Sequence, residues 1–207
     1  ADGLALTLGD GGATAIVAGG TIQGAASGSV DSDLVVNTTG TAAFNGIIGG
    51  GSQFRNLTVT QSGGTTFGAA VTSTGGAVTL TDTTGTIEFD GALVAPTLTV
   101  SAGGGGYALN LDGGSTIAAA VTMSNTGAVR IGDGADTNTF TGGLVATAPS
   151  SLSVAGTIAA NNQAISLGDG GTALTLTADT DVSAGNGVIT LGGAVNGAHG
   201  LTLTTTG

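Results

Sequence analysis

The chain has 207 residues, 42 of them glycine, and carries thirteen Asp or Glu against two Lys or Arg, a formal net charge of −11. Without a basic surface it lacks the phosphate contacts that nucleic acid requires, and without cysteine it has neither a disulfide framework nor a cysteine-ligated metal site. Only 7% of residues are charged while 40% are apolar, which is the balance of a packed chain and not of a disordered one.

Short runs of Val, Leu, Ile and Ala alternate with Gly, Thr and Ser, so strands separated by tight turns are predicted and helices are not. No apolar run reaches the roughly 18 to 20 residues of a membrane-spanning helix. Five Phe and one Tyr are too few for the aromatic girdles of a transmembrane barrel, so no membrane span is expected.

In chain order, the first predicted strand is LALTL at 4–8, closed by the acidic turn GDGG at 9–12. An apolar-polar-apolar triplet then recurs as Leu57-Thr58-Val59, Val78-Thr79-Leu80, Leu98-Thr99-Val100, Val129-Arg130-Ile131, Leu152-Ser153-Val154 and Leu174-Thr175-Leu176, with an extra one at Leu109-Asn110-Leu111. Most intervals are roughly 20 to 23 residues, the signature of a repeat architecture. A second phase about half a repeat away runs through Phe44, Phe67, Phe89 and Phe140, with Ile117 taking the aromatic position between the last two. Each repeat is therefore predicted to hold at least two strands, with glycine at the corners.

Period-two alternation puts Leu57 and Val59 on the inner face and Thr58 on the outer one. A repeat of this size cannot bury its apolar face alone, but stacked copies can. The expected fold is all-β, a single parallel β-helix (β-solenoid) over residues 1–207, with about nine coils of roughly 20 to 24 residues and a length of 40 to 45 Å. The alternative is a β-sandwich. The predicted core ladder comprises Phe44, Phe67, Phe89, Phe140, Leu57, Val59, Val78, Leu80, Leu98 and Val100, with Phe67 on Phe89, Val78 on Leu98 and Leu80 on Val100.

Candidate sites are sparse. The turn IGDGAD at 131–136 resembles part of a calcium-binding nonapeptide repeat, which makes Asp133 and Asp136 candidate calcium ligands. Only one copy is present, and Asp-Gly as a plain turn former competes with that reading. No other cofactor is expected. Glu88 and Asp90 flank Phe89, and Asp179 and Asp181 flank Thr180, so each pair is spaced for general acid–base work. The aromatic and basic groups of a sugar-cleaving groove are lacking, and no enzyme is expected. His199 is assigned to a corner. Arg55 and Arg130 are each expected to pair with a carboxylate on a neighbouring coil or molecule. Thr-rich strands such as LTVT at 57–60 and LTLTTTG at 201–207 resemble the T-x-T ladders of ice-binding β-solenoids, although a β-branched residue also suits any solvent-facing strand position.

The phrases FNGIIGGGSQFRNLTVT (44–60), GTIEFDGALVAPTLTV (85–100) and GVITLGGAVNGAHGLTLTTTG (187–207) resemble the β-strand repeats of filamentous-haemagglutinin-like and autotransporter-type bacterial surface proteins. That resemblance implies a secreted or surface-displayed β-helical stalk serving adhesion, biofilm matrix or cell contact. The Asn-Pro motifs of the two-partner secretion domain, an Arg-Gly-Asp triplet and a barrel segment are absent, so the likeness covers the shaft alone. Neither end shows a cap, and the ends are expected to stack on further coils, of the same chain or of another copy. The expected function is a structural, self-associating shaft, with an ice-binding or glycan-binding module as the alternative.

Overall fold

The computed structural model describes residues 4–24 and 32–207. Among these there is no helix, and the paired strands run parallel in three stacked ladders, a β-solenoid of about eight turns.

The first face climbs through Ala5–Leu8, Asp33–Asn37, Asn56–Ser62, Ala77–Thr83 and Thr97–Val100. A bridge from Val100 to Met123 carries it on to Val121–Thr122, Leu144–Ala146, Ile165–Leu167 and Ile189–Leu191. The second face runs from Ile16–Ala18 through Ala42–Phe44, Thr65–Phe67, Thr86–Phe89, Ala108–Leu111 and Ala128–Ile131 into the first halves of Ser151–Ala159 and Leu174–Gly185, then to Val195–Asn196. The third runs from Ile48 through Val71–Thr72, Leu93–Ala95, Ser115–Ile117 and Thr137–Phe140, then along the second halves of those two long strands to Leu201–Thr205. Each turn visits three faces, one more than the two phases legible in the sequence.

Alternation aims every second side chain inward, and the ten residues of the predicted core ladder are all buried. Val78 aligns with Leu98 and Leu80 with Val100 on the first face. On the second, Phe44, Phe67 and Phe89 stack, with ring centroids 5.2 and 4.7 Å apart and planes within 14° of parallel. Phe140 does not continue this column. Phe89 is followed by Leu111, Ile131, Val154 and Leu176, while Phe140 lies on the third face above Ile117, which itself stands above Ala95. The equivalence of Ile117 and Phe140 with the Phe column is thus corrected: the corner turns differ in length, so an interval near one repeat also fits a step onto a neighbouring face.

Close stacking explains part of the glycine content. At the corner between the first and second faces, a Cβ on Gly85 would lie 2.1 Å from the Gly63 carbonyl oxygen of the turn below. The conflict is with backbone, so relief requires the two turns to part. Gly85→Ala is expected to cost about 2 kcal/mol, an overpacking effect, and to lower the melting temperature measured by circular dichroism. Gly19→Ala is the control, because nothing stands within 4 Å of its Cβ position.

Candidate functional site

The richest cluster of chemistry lies on the second face and the corner after it. Outward positions there align in register as Thr66, Glu88, Asn110, Arg130, Ser153 and Thr175. Beside this column, where the strands end, Asp90 and Asp112 follow the aligned pair Phe89 and Leu111 on consecutive turns. One carboxylate oxygen from each of Glu88, Asp90 and Asp112 falls within 4.8 Å of the others.

Arg130 provides the countercharge from the next turn. Its Nε donates to Asp112 Oδ1 at 2.7 Å, its terminal NH2 donates to Asp112 Oδ2, and the same NH2 reaches Glu88 Oε1 at 3.3 Å. Asn110 Nδ2 also donates to Glu88 Oε1, at 3.2 Å. Asp112 is almost fully buried and both of its oxygens engage the guanidinium, a forked geometry that suits Arg better than Lys. Partial burial raises the Asp90 carboxyl above its usual range, neighbouring Glu88 and Asp112 raise it further, and Arg130 opposes them. The three carboxylates are the ligand type of a hard divalent cation, yet the position facing Asp112 and Glu88 is held by Arg130. The arrangement acts as an ionic clamp spanning three turns.

Sequence spacing paired Glu88 with Asp90 but did not join Asp112 to them. The signal was present, since FDG at 89–91 and LDGG at 111–114 lie one repeat apart. Asp133 and Asp136, the calcium candidates, are not in this three-carboxylate group. The Asp133 backbone N–H donates to Asp136 Oδ2 at 3.4 Å, and contact with Asp136 raises the Asp133 carboxyl above its usual range.

Asp179 and Asp181 line a shallow polar cleft with Thr157, Thr180, Gly200 and Thr202. Asp179 Oδ1 accepts from Gly200 N at 2.8 Å, and His199 Nδ1 stands 3.9 Å from the same carboxylate. Asp169 behaves as a turn former: it accepts from the Gly171 and Thr172 amides at 2.8 Å, which hold its carboxyl below the usual range. Arg55 forms a fork on Asp33 of the turn below, with contacts of 3.0 and 2.7 Å, and lowers that carboxyl.

The first face carries a different surface. Its central outward column reads Thr7, Val35, Thr58, Thr79, Thr99, Thr122, Val145, Ser166 and Thr190, with no charged side chain from one end to the other. The Thr-rich segment at 201–207 contributes instead to the third face, so the Thr stretches noted in the sequence do not form one surface.

No protein-family model, curated protein or solved structure matches the chain.

Proposed function

We propose that the chain is a non-catalytic shaft segment of a secreted or surface-displayed fibre, acting by self-association in matrix or cell contact. One observation carries this reading: the polar side chains bond along the solenoid axis, turn to turn. Arg55 binds Asp33, Gln61 binds Asn37, Arg130 binds Asp112, Asp82 accepts from Gly104 N, and Asn162 accepts from Asn186 N. Such contacts reinforce a rod against lateral shear and leave few polar groups converging on a ligand. With Arg55 and Arg130 both paired and no lysine, the surface also offers little to trypsin-like proteases, which suits an extracellular existence. Open parallel strands at the ends of a solenoid are templates for further coils. Electron microscopy at rising concentration is expected to show rods joined end to end into filaments. Short rods that stay monodisperse would overturn the proposal.

The uncharged Thr-rich column of the first face supports a second reading, binding to a neutral periodic surface such as ice, because rungs repeat at roughly 4.8 Å along the axis. Thermal hysteresis that disappears in Thr79→Lys would favour it. Its absence would leave the shaft alone.

A further inference from the structure

Ser115 and Asn138 point into the core from the third face, aligned on consecutive turns, with Leu93 below and Ile158 above. They are 3% and 0% exposed, and Ser115 Oγ, Asn138 Oδ1 and Asn138 Nδ2 have no hydrogen-bond partner among the described residues. Three unpaired polar atoms on neighbouring rungs of an otherwise aliphatic column need an explanation, since buried polar groups find partners in protein or in ordered water.

The corner at this level is also irregular. Between the inward pairs of the second and third faces, the turn carrying Ser115 uses three residues, 112–114, and the turn above Asn138 uses three, 155–157. The turn carrying Asn138 uses six, 132–137, so its corner is longer than those on either side. Glycine lines that corner: a Cβ on Gly132 would come within 3.6 Å of Asn138 Nδ2.

We propose that Ser115 and Asn138 bind an integral water molecule inside the solenoid, bridging the two turns. Side chains on adjacent rungs are separated by roughly 4.8 Å at the backbone, a gap that one water spans with two ordinary hydrogen bonds. Ser115 Oγ and the two ends of the Asn138 carboxamide provide the two to four polar contacts that a buried water requires. The site also marks register. Many rungs of this chain are interchangeable aliphatic pairs, and a coil slipped by one turn would set the carboxamide against Leu or Ile.

The test is nuclear magnetic resonance of the full chain, reading cross-relaxation between bulk-exchanging water and the Asn138 side-chain amide protons, alongside a high-resolution crystal structure. Expected are a water cross-peak with residence longer than that of surface water and density between Ser115 Oγ and the Asn138 carboxamide, both lost in the volume-filling double variant Ser115→Val/Asn138→Leu while the circular dichroism spectrum is retained. A carboxamide bonded directly to Ser115 or to backbone, with no water signal, would overturn the proposal. So would a metal ion in that density.

Discussion

Phe67→Ala is expected to lower the unfolding free energy by about 4 kcal/mol, within the range for deleting a fully buried aromatic. Phe67 is 0% exposed and stacks on two rings, Phe44 at 5.2 Å and Phe89 at 4.7 Å. Its neighbours cannot collapse into the gap, because the strands that carry them are held at ladder spacing by hydrogen bonds to both sides. The loss therefore includes the residual cavity and both ring contacts, each of the latter worth about 1 kcal/mol. In a stacked repeat this cost falls on the coupling between turns, so the urea transition is expected to broaden as well as shift. Phe67→Leu keeps most of the volume and should recover about half of the loss. A Phe67→Ala midpoint indistinguishable from the wild type would show that the ring column contributes little to cohesion.

The β-solenoid was legible because its two determinants are local: alternation at period two, and a recurring interval that brings like residues into one column. Leu98 over Val78 and Phe89 over Phe67 follow directly from that interval. The third face was not legible, because an apolar-polar-apolar triplet looks the same on any face. Leu98-Thr99-Val100 and Leu109-Asn110-Leu111 belong to two faces of a single turn, so what reads as an extra triplet is the second face continuing the column of Phe89. Phe140 was misplaced for the same reason. The clamp was half legible: Glu88 and Asp90 stand out as neighbours in sequence, whereas Asp112 and Arg130 lie one and two turns on and join them only once the strand register is known. Ser115 and Asn138 gave no sequence signal, since a polar residue in a short strand reads as outward until its register is known.

Replacing Arg130 by Met tests the clamp and carries the second large effect. Asp112 has a side chain only 6% exposed, and in Arg130→Met it would keep its charge without the guanidinium, with oxygens of Glu88 and Asp90 within 4.8 Å. Breaking a buried pair from one side is costly, about 3 to 5 kcal/mol, but Arg130 is 36% exposed and water screens part of the interaction. A loss of about 2 kcal/mol at neutral pH is therefore expected. A second substitution identifies the cause. Asp112→Asn in the same background removes the stranded charge and should restore much of the loss. A deficit unrelieved by Asp112→Asn would mean that Arg130 contributes through the packing of its aliphatic stem and not through charge.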